Sequence, residues 1–153
     1  YKVDIPDEYI PKMLDWDKPL VEQPKNVLNS LKKLNDPYIN EAITTKPKLS
    51  ADGEYWTYMG NTYATKSEAL ADATPHRIIS GYTNIGKDPK EVNIALQAVD
   101  IKGVKYLDQE SRAGKSGTSN FVVFDPTDVK ILERNNQPLS RKEKIEQELN
   151  KLK

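Results

Sequence analysis

The sequence predicts an α+β domain, and three observations lead to that prediction. Short apolar runs typical of strands occur at the start of the chain and in its last third. Segments with helical periodicity lie between and after these runs. The 153 residues are enough for about one domain with a hydrophobic core. We therefore expect small mixed or antiparallel sheets, short helices and a C-terminal amphipathic helix.

Helical periodicity and capping signals predict four helices. Residues 24–34 begin with a proline and place apolar side chains on one face. A second helix follows Thr65 and Glu68, which could cap it together, or Ser67, which could cap it alone. Residues 88–91 read Asp-Pro-Lys-Glu, a capping box followed by apolar residues at i, i+3, i+4 and i+7. This third helix has the strongest pattern.

The fourth predicted helix forms the C-terminal tail. It begins at a capping box of Ser140 and Glu143 and carries Ile145, Leu149 and Leu152 among charged residues. These three residues form a narrow apolar stripe. We expect this face to pack on the domain or on a neighbouring molecule, with an independently functional amphipathic anchor as the alternative.

Alternating and apolar runs predict the strands. A hairpin is expected at 54–64, with its turn at Gly60 and Asn61. Residues 36–53 show little periodicity and predict mostly loop, with a possible helical turn at 38–43. Residues 121–124 are apolar on both alternating faces, which favours a strand buried in the middle of a sheet. Further strands are predicted at 1–5, 104–107 and 129–132.

Composition excludes several classes of function. The 23 basic and 23 acidic residues balance, so no global field favours nucleic acid or an anionic membrane. No apolar run approaches the ~18 residues that a membrane-spanning helix needs. The chain lacks cysteine, and no spaced His/Asp cluster suggests a metal. It begins at Tyr1 without an initiator methionine, so we expect a processed product or an excerpt.

Several segments resemble one known family. Residues 118–125 read Thr-Ser-Asn-Phe-Val-Val-Phe-Asp, after Tyr-Leu-Asp-Gln and Ser-Arg and before Val-Lys-Ile-Leu-Glu-Arg-Asn. The opening Tyr-Lys-Val-Asp-Ile-Pro-Asp and residues 14–24 contribute further likeness. Together these segments resemble the C-terminal part of the ADP-ribosyltransferase-like domains of large polyvalent proteins from phages and prophages. The likeness covers about residues 1–35 and 89–135, while the hairpin and helix at 41–88 look divergent or inserted.

The resemblance implies a site and a chemistry. Enzymes of this fold bind NAD between two small sheets and break its glycosidic bond through an oxocarbenium-like transition state. Poly(ADP-ribose) polymerases place a glutamate at the start of a late strand, and the same register puts Asn120 there. By this likeness Asn120 and Glu110 are the catalytic candidates, and Ser119, Asn120 and Arg112 would bind NAD, which is the substrate. An asparagine can hold a ribose hydroxyl but contributes no negative charge.

The resemblance also implies partners and a location. A host protein or another macromolecule would accept ADP-ribose, in a phage virion or in the host cytoplasm. The family's early His or Arg and its Tyr or Ser motif have no counterpart here, because His76 lies mid-chain without a matching motif. The upstream part of a polyprotein would supply them. We expect a domain over residues 1–135 and a helical tail over 136–153.

Two alternatives to the enzyme remain open. The chain could be a non-catalytic structural or interaction component of a virion or polyvalent protein, bound to other virion proteins. It could also be a fragment of a secreted effector or toxin. The loop between the strands at 104–107 and 121–124 would then be a solvated surface loop with no ligand.

Overall fold

Small three-stranded sheets and short helices make up the chain, in a computed structural model that describes residues 2–77, 88–108 and 118–152. The α+β class is confirmed. The α-helices that lie wholly within the described residues are α1 (Lys25–Lys32), α2 (Pro37–Ala42), α3 (Lys66–Asp72), α4 (Pro89–Ala98) and α5 (Arg141–Asn150). The strands are β1 (Lys2–Asp4), β2 (Met13–Asp15), β3 (Lys48–Leu49), β4 (Trp56–Tyr58), β5 (Asn61–Tyr63), β6 (Gly103–Leu107), β7 (Ser119–Val123), β8 (Lys130–Arg134) and β9 (Gln137–Pro138).

The sheet formed by β2, β6 and β7 carries the residues singled out by the resemblance. Strand β6 lies in the centre, parallel to β2 and antiparallel to β7. Its first residue, Gly103, lies so close to β7 that a Cβ there would be 2.1 Å from the Val122 carbonyl oxygen. A glycine is therefore required for β6 and β7 to approach each other at this point.

The expectation for residues 121–124 is wrong. Strand β7 lies at the edge of its sheet, and Phe121 and Val122 are 38% and 49% exposed. Strand β6 takes the central place instead, because β2 pairs with it on its other side. Strand β2 was not predicted from the sequence. The prediction therefore lacked the strand that pairs with β6, makes β6 central and leaves β7 at the edge.

The other two sheets contain hairpins with two-residue turns. In the β3–β4–β5 sheet, Met59 and Gly60 occupy the turn with φ of 48° and 80°. The predicted hairpin is confirmed, but its turn lies one residue earlier than expected. In the β1–β8–β9 sheet, Asn135 and Asn136 connect β8 to β9 with φ of 52° and 60°. Positive φ at both positions is typical of the type I′ turn that matches strand twist.

Capping side chains mark where four of the five helices begin. Two of the three predicted capping boxes form, Thr65 with Glu68 at α3 and Ser140 with Glu143 at α5. The box predicted at 88–91 does not, because the Asp88 side chain accepts from the Lys90 N–H instead. At α2, the Asp36 side chain accepts hydrogen bonds from two backbone N–H groups. The segment 36–53 is mostly loop, as predicted, with α2 at the expected helical turn and the two-residue strand β3 in addition. The Asp-Pro pair that begins α2 was a readable signal.

The hydrophobic core lies between the β2–β6–β7 sheet and helices α1, α2 and α4. Trp16 and Phe124 pack against it and are partly buried. Its fully or nearly buried members are Leu14, Leu20, Val27, Leu31, Ile39, Ala42, Ile43, Val92, Leu96, Ile101 and Val104.

Polar contacts attach the β3–β4–β5 sheet to the helices. Arg77 pairs with Asp72 at 2.6 Å and also donates a hydrogen bond to the Tyr38 hydroxyl. Tyr63 donates a hydrogen bond to Asp72 Oδ2, which Arg77 also contacts, and the pKa of Tyr63 is raised by partial burial and by this bond. Tyr58 is 1% exposed, and burial raises its pKa to about 12.

Candidate functional site

The start of β7 is the first candidate surface. Asn120 lies opposite Tyr106 and Ser119 lies opposite Leu107 in the β6–β7 ladder. Both Ser119 and Asn120 are exposed. The structure thus places two of the predicted site residues side by side at the solvent-exposed start of an edge strand.

Glu110 and Arg112, the other predicted site residues, lie outside the described residues. The residues on either side of that segment are joined to each other. The Asp108 N–H donates to the Thr118 carbonyl at 3.2 Å, and the Thr118 hydroxyl donates to the Asp108 carboxylate at 2.6 Å. This pair holds together the two chain ends from which residues 109–117 depart.

The turn after β2 supports the same end of the sheet. The Asp17 carboxylate accepts a hydrogen bond from the Leu107 N–H at 2.5 Å, and the Trp16 N–H donates to the Lys105 carbonyl at 2.9 Å. Asp15 lies between two ammonium groups, those of Lys18 and Lys105, each at 3.4 Å. The end of β6 is therefore fixed by charges and hydrogen bonds from a segment about 90 residues earlier in the chain.

Gln23 holds this turn from the opposite side. Its side-chain oxygen accepts from the Asp15 N–H at 2.8 Å, and its amide nitrogen donates to the Asp15 and Lys18 carbonyls at 2.8 and 3.1 Å. Gln23 is 4% exposed, so these bonds form in a water-poor setting where unpaired backbone groups are costly. Gln23 therefore bonds both backbone groups of Asp15 at the end of β2 and holds the turn that contacts β6.

A groove beside Trp16 is a further concave surface near this turn. It encloses about 520 Å³ between the 16–22 segment and α3. His76 contacts the Trp16 ring edge to face, with ring centroids 5.8 Å apart. Ser119 and Asn120 do not line this groove. Its lining residues are Trp16, Asp17, Pro19, Glu22, Ser67, Leu70, Ala71 and Thr74.

The outer face of α5 is the second candidate surface. Gln147 accepts a hydrogen bond from the Ile131 N–H at 2.9 Å, and Glu143 pairs with Arg134 at 3.4 Å, so the polar side of the helix faces β8. Bonds to Ser140 at the helix start lower the pKa of Glu143. A cavity of about 370 Å³ separates α5 from the sheet. The polar face of α5 therefore contacts the described part of the domain. This is contrary to the expectation that the apolar stripe packs on the domain.

The apolar stripe of α5 faces solvent. Ile145, Leu149 and Leu152 are 51%, 54% and 83% exposed. The sequence located the stripe but not its direction, because periodicity defines which residues share a face and not which face meets the domain. The expectation that the stripe packs on a neighbouring molecule stays a prediction.

Among residues 2–77, 88–108 and 118–152, no group of three or more His, Asp or Glu side chains is arranged to hold a metal ion. Within the same described ranges, no helix combines the length and apolar character needed to span a membrane. The start of β7 and the outer face of α5 are the two candidate surfaces taken further.

Comparison with protein-family models, with curated proteins and with solved structures finds no match for this chain.

Proposed function

We propose that this chain is the C-terminal part of an ADP-ribosyltransferase-like domain of the phage polyvalent-protein type. The exposed amide of Asn120 at the start of β7 carries the proposal, because the resemblance assigns a ribose contact to that position. In this proposal the amide oxygen of Asn120 accepts a hydrogen bond from a ribose hydroxyl of NAD. Ser119, one residue earlier, lies on the opposite face of β7, so it would contact the same ligand only at the end of the strand.

The chemistry proposed for the site is limited by the residue at position 120. Breaking the glycosidic bond develops positive charge on the ribose, and a carboxylate beside it would stabilise that charge. Asn120 orients the sugar without supplying charge. In the proposal Glu110 supplies a carboxylate, Arg112 contacts a phosphate, and a host macromolecule accepts ADP-ribose. The early His or Arg and the Tyr or Ser motif would come from an upstream segment.

The proposal is tested with labelled NAD and host lysate. The chain is assayed in two forms, by itself and as a fusion with the protein segment encoded before Tyr1. Asn120→Ala is expected to weaken NAD binding about fivefold to tenfold in calorimetry, the worth of one hydrogen bond. Asn29→Ala, at an exposed asparagine on α1, is the matched control and is expected to bind as the parent does.

A glutamate at position 120 tests the missing charge directly. If β7 meets the ribose, Asn120→Glu is expected to raise label transfer by roughly 100-fold, the scale of one preorganised electrostatic contact. The proposal fails if neither form of the chain binds NAD or transfers label, and if Asn120→Glu changes neither property.

A second candidate function is a non-catalytic interaction component of a virion or polyvalent protein. The outward apolar stripe of α5 favours it, because three exposed apolar side chains in a row are typical of a docking surface. This function predicts no NAD binding with or without an upstream segment. It also predicts that Leu149→Asp lowers the assembly size measured by light scattering, and an unchanged size would count against it.

A further inference from the structure

Strand β7 is an unprotected sheet edge. Its five residues, Ser119–Val123, include no charge and no proline, and they pair with β6 in an unbroken register. Proteins ordinarily protect an edge strand from pairing with other chains by making it short or by giving it charges or a proline. The other edge strands of the described ranges have two or three residues each, and most carry a charge or a proline. Among the described edges, β7 is therefore the exception.

The backbone groups of alternate β7 residues face away from β6. Immediately after β7, the Phe124 N–H donates to the Lys102 carbonyl at 3.1 Å, so the backbone of Phe124 faces β6. Because these groups alternate along a strand, the N–H and C=O groups of Ser119, Phe121 and Val123 face the opposite way. No described strand lies on that side of β7. The outer edge therefore presents alternating donors and acceptors over the length of the strand.

We infer that β7 pairs antiparallel with β7 of a second copy of this chain, joining two three-stranded sheets into one of six strands. An extended strand is the partner that satisfies alternating backbone groups along an edge. A charged strand would meet no opposite charge on β7, whereas a second β7 buries no charge and opposes no like charges. High β-propensity with low net charge and no proline is also the composition of segments that pair with their own copies. The contact does not depend on NAD, and it goes beyond the functions proposed above.

The outward-facing residues define the register of the pair. All three of them form ladder bonds when Phe121 lies opposite Phe121 of the other copy and Ser119 lies opposite Val123. A shift of two residues would remove one of the three from the ladder. In this register the two Phe121 side chains are neighbours on one face, and Asn120 lies opposite Val122 on the other face. Phe121 and Val122 are 38% and 49% exposed in the single chain, and the second strand covers both.

Charges at position 121 test self-pairing, because this residue meets its own copy. Two strands of five residues bury less than the roughly 1,200 Å² of a stable interface, so we expect half-dimerisation at about several hundred micromolar in sedimentation equilibrium. Phe121→Lys and Phe121→Glu should each weaken dimerisation about tenfold, because like charges then lie opposite each other. An equimolar mixture of the two should dimerise within about threefold of the parent, because opposite charges then meet. A mixture that dimerises no better than either variant would overturn the inference.

Val3→Lys and Val3→Glu are the matched controls. Val3 is 49% exposed and lies on β1, which is another edge strand. Each control variant should dimerise as the parent does, and so should their mixture. A tenfold weakening by the Val3 variants as well would overturn the assignment of the contact to β7.

A proline tests the backbone bonds without adding charge. Ser119→Pro removes an N–H that faces away from β6, so the β6–β7 ladder keeps its bonds. The melting temperature of the single chain should stay close to that of the parent. Dimerisation should weaken roughly tenfold, because one bond is lost at each end of the pair. A folded Ser119→Pro chain that dimerises as the parent does would overturn the pairing of β7 edges.

Single cysteines test the register, since the natural chain contains none. Positions 120 and 122 face each other across the pair, with Cα atoms about 4.5 Å apart. A mixture of Asn120→Cys and Val122→Cys should therefore form a disulfide-linked heterodimer. Neither variant should cross-link with itself, because its own copy lies roughly 8 Å away, beyond the reach of a disulfide. Self-cross-linking without the heterodimer would overturn the register, and a parent chain that stays monomeric at about 1 mM would overturn the pairing itself.

Discussion

The replacement Gly103→Ala tests the packing that positions β7 and hence Asn120. The added Cβ would lie 2.1 Å from the Val122 carbonyl oxygen, 3.1 Å from the Val122 carbonyl carbon and 3.2 Å from the Val123 Cα. All three are backbone atoms, so no side chain can rotate away. Strand β7 would have to move by about 1 Å to restore an ordinary contact distance.

The cost has two parts. Overpacking a well-packed site costs about 1–3 kcal/mol. Moving β7 also weakens ladder hydrogen bonds next to Gly103, each worth about 1 kcal/mol. The expected loss is therefore about 3 kcal/mol of unfolding free energy, which lowers the melting temperature of a chain this size by roughly 10 °C.

Gly53→Ala is the matched control. No heavy atom lies within 4 Å of a Cβ at Gly53, but its φ is +79°, so alanine there meets backbone strain without a clash. Its expected cost is about 1 kcal/mol. Urea unfolding followed by tryptophan fluorescence, from Trp16 and Trp56, measures both variants. Equal unfolding free energies for the two variants would refute the close approach of β6 and β7.

Three further predictions concern stability. Gln23→Ala should lower the unfolding free energy by about 2–3 kcal/mol in urea titration, since it removes two buried hydrogen bonds and one part-buried one; a loss below about 0.5 kcal/mol would contradict the role of Gln23 in holding the turn after β2. The pKa of Tyr58, about 12 in the folded chain against 10.0 ordinarily, means that its contribution is complete below pH 10 and is lost as the pH rises to about 12. Melting scans should show stability falling by up to about 1.4 kcal/mol per pH unit in that window, and less steeply in Tyr58→Phe; equal slopes would contradict the assignment. Thr65→Ala should cost about 1 kcal/mol and Ser67→Ala almost nothing, because Thr65 caps α3; the reverse order would identify Ser67 as the cap.

Local signals in the sequence predicted the elements whose cause is local. The capping boxes of Thr65 with Glu68 and of Ser140 with Glu143 each join residues three positions apart at the start of a helix, and both form as predicted. The helix after Asp88 also forms, with its side chain accepting from the Lys90 N–H. Such elements depend on contacts between near neighbours, which a single sequence displays directly.

The parts that escaped prediction depend on distant contacts. Strand β2 has three residues and pairs with β6 in a parallel register in which Met13 meets Gly103. No residue near Met13 in the sequence indicates that it pairs with Gly103, so the edge position of β7 could not be predicted. The role of Gln23 was missed for the same reason, since its bonds to Asp15 form only once the turn is folded. The resemblance located Ser119 and Asn120 as site residues, but only the folded structure shows that both are exposed.

The bonded pair of Asp108 and Thr118 has a consequence for how this surface can diversify. The two residues are ten positions apart and are joined by two hydrogen bonds, so the sheet already brings the loop ends together. Closing a longer loop between fixed ends is inexpensive, since each doubling of loop length costs only about 0.6 kcal/mol. Insertions and replacements between these positions would therefore leave the register of β6 and β7 unchanged, because the bonded pair and the strand ladder already fix both ends.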